Sequence, residues 1–363
     1  MAIWPGLLSR ELSMPPDPRF TWSSPAQIPV TAGLAGALAG VGHDCVLIAG
    51  GTNFPKGMPW EGGKKKYYDG IYVLTRHPLK GYEWLVRGDQ HLPEPMAYSA
   101  CVTTEKGVVC VGGENEHGPS KKVWRMIWDG TRVRVEPLPD LPLPLTNASA
   151  GMLNGHIYVA GGETAANVSD KFYYLEDLAW RPLQPLPKPL SHAVLAGSHG
   201  HLYLAGGRKK DPDGISDLSS AVYSYDPVTN NWSQRQSLPY PLSAGTGIMT
   251  DNDKLFLFGG DKGETFHRTE ELIVAIAAEK DPGRKQELIR QKTALQQTHP
   301  GFSKEILMYD ILKDRWSVAG DIPFPSPVTT TVFQWGDRIV IPGGEIRAGV
   351  RTSQILMAVI KDE

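Results

Sequence analysis

The chain of 363 residues carries 37 Lys and Arg against 39 Asp and Glu, a formal net charge of −2, so it offers no basic field for phosphate backbones and nucleic acid is not an expected partner. With 41% hydrophobic and 21% charged residues the composition is globular, and no apolar run approaches the roughly 20 residues that span a bilayer, which excludes a membrane-spanning helix. The 39 glycines and 30 prolines are spread along the chain and imply many tight turns between short strands, hence an all-β fold.

The opening MAIWPGLLSRELSMPP lacks a positively charged start, and its apolar stretch is broken by Pro5 and stopped by Arg10-Glu11. It reads as a poor signal peptide. A soluble cytoplasmic protein is expected, with the periplasm as the alternative if the N-terminus is processed. The next segment, RFTWS (19–23), has the look of a strand carrying a Trp but no companion strands of its own.

From there a pattern repeats six times. An apolar run ends in Gly-Gly at VLIAGG (46–51), VVCVGG (108–113), IYVAGG (157–162), LYLAGG (202–207), LFLFGG (255–260) and IVIPGG (339–344), at intervals of 62, 49, 45, 53 and 84 residues. A period near 50 is that of kelch repeats. Two further markers run in phase. Ile28-Pro29, Leu92-Pro93, Leu141-Pro142, Leu186-Pro187, Leu238-Pro239 and Ile322-Pro323 precede each small-residue strand, and Trp22, Trp84, Trp180, Trp232 and Trp316 stand just upstream of most of them, with Val133 and Val135 in the second unit. Each unit therefore reads as four strands, one blade of a propeller. Glycine permits close approach near the axis, and the outer Trp fills the wedge between blades.

The last blade, 328–360, lacks a Trp strand, and 19–23 supplies one. The expectation is a six-bladed kelch-type β-propeller, a single domain over 1–363, closed by pairing its N-terminal strand into its C-terminal blade, which removes open edges. The long interval holds an insertion over 264–301. TEELIVAIAAEK (269–280) and GRKQELIRQKTALQQ (283–297) predict two helices, with Thr269 as N-cap and Asp281-Pro282 as the break. Such an insertion suits a wall or lid beside the channel mouth.

Cys45, Cys101 and Cys110 are odd in number and lie in apolar runs, so no disulfide framework is implied. No metal-ligand spacing or cofactor motif is present, and neither a metal nor a cofactor is expected. The Lys64-Lys65-Lys66 run reads as a solvated loop, and His192, at the start of an inner strand, as a hydrogen-bonded structural residue. The candidate binding residues follow each Gly-Gly pair: Asn53, Glu114, Glu163, Arg208 and Arg347, with Asp261 in the fifth unit and Glu345 in the sixth. Acidic and basic groups converging on one axis suit a small polar or anionic ligand.

The segment GGEIRAGVRT (343–352) resembles the motif of the kelch-type N-acetylneuraminate epimerases, or sialic acid mutarotases, in which an Arg leading into Thr follows a Gly-Glu by six residues and the preceding blade carries a helical insertion. Glu345 and Arg351 match that spacing, and the insertion lies in the preceding blade. GLAGALAGVGHDCVLIAGGTNFP (33–55) is similar to the family's later blades, so the resemblance covers nearly the whole chain in a cyclically permuted order. It implies an isomerase acting on N-acetylneuraminate or a related acidic sugar. Glu345 would move the proton of the anomeric hydroxyl, and Arg351 would either clamp the sugar carboxylate or support developing negative charge. Two other readings stay open, a non-enzymatic kelch interaction module and a different sugar-active enzyme on the same scaffold. The sequence leaves the oligomeric state open.

Overall fold

A computed structural model describes residues 19–79, 81–250 and 253–361. The opening segment, weighed as a signal peptide, lies outside the described residues up to Pro18. The described strands include six four-stranded antiparallel sheets, five of them running outward in chain order from a small-residue inner strand. In blade one these are Leu38–Gly42, Cys45–Ala49, Gly70–His77 and Gly81–His91. Blade six holds Phe333–Trp335, Arg338–Pro342 and Gln354–Ile360, and its fourth strand is Phe20–Gln27 from the other end of the chain, with Phe20 opposite Ile360 and Gln27 opposite Gln354. The expected closure is therefore present.

The apolar core divides into six clusters, each between two neighbouring blades. Leu38, Leu47 and Val73 of blade one meet Cys110, Trp124 and Met126 of blade two, and Val340, Ile355 and Met357 of blade six meet Val46, Ile48 and Leu74 of blade one. In blades one and two every second-strand position is buried because alternate side chains feed the two adjoining clusters. Full burial of residues such as Leu47 and Val340, each fully covered, contributes roughly 1.5–3 kcal/mol apiece. Three of the outer Trp side chains fasten one blade to the next through their indole N–H groups. Trp180 donates to Pro139 O at 2.8 Å, Trp232 to Gln184 O at 3.1 Å and Trp316 to Gln236 O at 2.9 Å.

At the axis the first residue of each blade has a left-handed backbone. Gly36, Tyr98, Asn147, His192, Ala244 and Thr329 have φ between 51° and 62°. Their amides and carbonyls form a closed circle: Tyr98 N–H donates to Gly36 O, Asn147 to Tyr98, His192 to Asn147, Ala244 to His192, Thr329 to Ala244 and Gly36 to Thr329, at 2.7 to 3.1 Å. Five of the six are not glycine, and the circle of hydrogen bonds offsets the cost of that conformation.

The insertion lies between the second and third strands of blade five, Lys254–Phe258 and Glu305–Asp310. It consists of α1 (Glu264–Ala278) and α2 (Pro282–Gln297). The expected break holds: Asp281 caps α2, its carboxylate accepting from Arg284 N, with Pro282 at the first helical position. The expected cap of α1 does not. The helix starts six residues earlier behind Gly263, and Thr269 sits inside it, its hydroxyl donating to Thr265 O at 2.8 Å. Thr in a helix interior can satisfy its hydroxyl that way, so a cap-type residue alone does not mark a helix start.

Candidate active site

Each residue directly after a Gly-Gly pair bridges back to the residue just before the axial circle: Thr52 to Ala35, Glu114 to Ala97, Glu163 to Thr146, Arg208 to Ser191, Asp261 to Ser243 and Glu345 to Val328. This fixes a second ring of side chains above the first. Five of its six members, Glu114, Glu163, Arg208, Asp261 and Glu345, line a cavity of about 430 Å³ at one end of the axis. Tyr98, Asn147, His192, Ala244 and Thr329 form its floor and separate it from a channel of about 180 Å³ between the inner strands. The insertion supplies a wall made of Thr265, Phe266, Thr269, Gln296, His299 and Phe302. Its anchor is Glu270, which accepts from both Ser216 N and Ser216 Oγ at 2.8 Å and is 7% exposed.

On one side of the cavity the hairpin Glu345–Arg347 and Val350–Arg351 pairs Glu345 opposite Arg351. Arg351 Nη2 lies 3.1 Å from Glu345 Oε2, and Gly349 N donates to Glu345 Oε1 at 2.8 Å. Burial pushes the Glu345 carboxyl above its ordinary value, only partly offset by the Arg351 charge and the Gly349 amide. The Arg351 guanidinium stacks 4.6 Å from the Phe54 ring centre. Its side chain is 4% exposed, and its Nε and Nη1 are buried with no hydrogen-bond partner among the described residues. Arg351 thus borders the cavity with one prong of its fork on Glu345.

Across the cavity Arg208, His192, Ser191 and Glu163 form a directed chain. Arg208 can only donate, so His192 Nε2, 3.3 Å from Arg208 Nη2, is the acceptor. Nδ1 then carries the proton and donates to Ser191 Oγ at 3.0 Å, which donates in turn to Glu163 Oε1 at 2.9 Å. Burial and the neighbouring Arg208 charge lower the His192 pKa to about 3, so the ring is neutral at physiological pH. Burial would raise the Glu163 carboxyl, but the His192 ring, the Arg208 charge and hydrogen bonds from Ser191 and Asn147 outweigh it and hold Glu163 below its ordinary value.

Several sequence expectations fall outside this site. Asn53 is 1% exposed, donates to Gly33 O at 2.8 Å and accepts from Tyr68 OH at 2.9 Å, so it braces a loop and does not reach the cavity. Arg347 is exposed on the hairpin and does not line the cavity. Asn53 is the second residue after its Gly-Gly pair and turns away as alternate strand residues do, and Arg347 follows an irregularity in the hairpin register between Glu345 and Arg347. Lys65, expected in a solvated loop, lines the cavity instead and contacts Glu114 Oε1 at 3.1 Å. His192 keeps its expected hydrogen bonds but also lines the cavity floor. Sequence reasoning passed over Tyr98, Asn147, Gln296 and His299, none of which follows a Gly-Gly pair.

Fold and site define a six-bladed kelch-type propeller whose axial cavity holds a buried carboxyl–guanidinium pair under a helical wall. The family profile described as N-acetylneuraminate epimerase matches residues 14–135 and 138–363, and the chain belongs to that family. Among curated relatives named N-acetylneuraminate epimerase, one from Yersinia enterocolitica is 35% identical over 117 residues, 30% of this chain and 28% of the relative. One from Brucella suis is 34% identical over 148 residues, 37% of each chain. The matched stretches thus span about a third of the length of these relatives.

Proposed function

We propose that this protein is an isomerase that interconverts the α and β anomers of N-acetylneuraminate or a closely related acidic sugar. The observation that carries this is Glu345, a carboxyl that burial holds above its ordinary value, on the wall of a polar axial cavity. A group so placed takes and returns a proton at near-neutral pH.

In the proposed reaction the Glu345 carboxylate takes the proton of the anomeric hydroxyl. The ring carbon–oxygen bond breaks as the carbonyl forms, and Glu345 returns the proton to the former ring oxygen, so proton and charge balance. Rotation about the bond next to the carbonyl presents its other face. The same steps in reverse close the ring as the opposite anomer. Arg351, beside Glu345, supports the negative charge that develops on the sugar oxygen while Glu345 holds the proton.

One-dimensional proton NMR of freshly released α-N-acetylneuraminate tests the proposal, with an approach to anomeric equilibrium in the presence of protein that is clearly faster than in its absence. Equal rates with and without protein would overturn it.

A further inference from the structure

We infer that Arg208, and not the motif arginine Arg351, is the residue that holds the substrate's carboxylate and selects acidic over neutral sugars. The inference rests on the isomerase reading above and names the specificity residue of the same cavity.

The two arginines bordering the cavity differ in what they offer. Arg351 has one nitrogen on Glu345 and two sealed from solvent. A substrate carboxylate brought to it would also stand beside Glu345, two like charges sharing one guanidinium. Arg208 is 21% exposed in its side chain, and among the described residues its single hydrogen-bond partner is His192, a neutral ring. Its Nε and Nη1 are left for a ligand. Glu163 lies 3.9 Å from Arg208 Nη2, beyond hydrogen-bond distance, and is already supplied with donors by Ser191 and Asn147.

The guanidinium is also held in place. One face lies 4.6 Å from the ring centre of Phe266 on α1, and His192 fixes Nη2 at the edge. A flat donor set locked in this way loses little freedom when a carboxylate docks, and two parallel N–H···O bonds give direction as well as attraction. The hydroxyl that reacts and the carboxylate that is bound sit on the same sugar carbon. Base and anchor therefore need to face one cavity from different residues, as Glu345 in blade six and Arg208 in blade four do. Through Phe266 the insertion also sets the plane of the anchor.

The test compares N-acetylneuraminate with its neutral methyl ester on wild type, Arg208→Gln, Arg208→Lys and Arg351→Gln, reading anomer exchange by NMR and binding by calorimetry, with circular dichroism to confirm folding. Wild type should bind the acid at least about tenfold more tightly than the ester. Arg208→Gln should erase that preference by weakening the acid alone, and Arg208→Lys should fall between, keeping charge without the fork. Arg351→Gln should slow exchange of acid and ester alike and keep the preference. If Arg208→Gln retains the preference, or Arg351→Gln is the variant that removes it, the inference is wrong. Preferential binding without catalysed exchange would sink the isomerase reading and leave the anchor standing. Binding of neither sugar by folded wild type would overturn both.

Discussion

The amide of Gly36 donates to the carbonyl of Thr329 at 2.7 Å, the bond that completes the axial circle by joining the first blade to the last. Gly36 is the one glycine in that circle, at φ +62°, and a Cβ built there would come within 2.5 Å of the Tyr98 ring. Gly36→Ala should therefore lower the unfolding free energy by about 2 kcal/mol, part from the left-handed backbone and part from displacing Tyr98. Urea denaturation measures it. An unchanged midpoint would mean that the circle tolerates a side chain at this point.

Glu345→Gln separates chemistry from folding. Turnover should fall at least about a hundredfold, because the proton acceptor is gone while shape and the Gly349 hydrogen bond remain. The effect on stability has the opposite sign. Because burial raises the folded-state pKa, the contribution of this group is fully present below 4.5, the unfolded value, and is lost as pH rises through the folded one. At neutral pH the wild type therefore carries a cost that the amide removes. The variant should melt no lower than wild type at pH 7, with its relative advantage shrinking as the solution is acidified; a clearly lower melting temperature at pH 7 would contradict the assignment.

His192 shifts the other way. With its pKa lowered to about 3, the unfolded chain takes up the proton first, so the stability this group contributes is present above pH 6.5 and drains away between 6.5 and about 3. Wild type should lose stability across that window more steeply than His192→Asn, measured by chemical denaturation at several pH values. Parallel profiles for the two proteins would show that the ring is not held neutral.

Glu270→Ala leaves the Ser216 amide and hydroxyl without their acceptor, at a cost of about 1–3 kcal/mol. Loosening α1 withdraws Phe266 from Arg208, so KM should rise with kcat little changed, and α1 amides should exchange faster with deuterium. Wild-type exchange rates in α1 would show that the insertion is held by other contacts.

The blades were legible because Gly-Gly, the Pro connector and the outer Trp each mark a place where only a few residue types fit. Five of the six members of the second ring were legible: Glu114, Glu163, Arg208, Asp261 and Glu345 stand where the Gly-Gly pairs put them, whereas Asn53 is one position further along, on the opposite face, and Arg347 lies beyond the irregularity in its hairpin register. The floor was missed because backbone bonds define it, and Gly36, Tyr98, Asn147, His192, Ala244 and Thr329 share no chemistry. Five of them share a setting, an apolar residue and a small one before and a small one after, as in Met96-Ala97-Tyr98-Ser99 and Leu190-Ser191-His192-Ala193, from which Pro327-Val328-Thr329-Thr330 departs. Lys65 and His299 reach the cavity from loops whose paths no local pattern sets.

Phe20 pairs with Ile360, 340 positions later, and its ring stacks edge-on with Phe256 and Phe258 of blade five. Closing so long a loop costs entropy before any contact repays it. Five blades are built wholly from neighbouring stretches of chain and can form in the order they are synthesised, whereas blade six waits for its partner from the far end. Refolding should therefore show a late phase in which this strand docks, and until then the segment Gln354–Ile360 presents a bare strand edge to any other chain nearby.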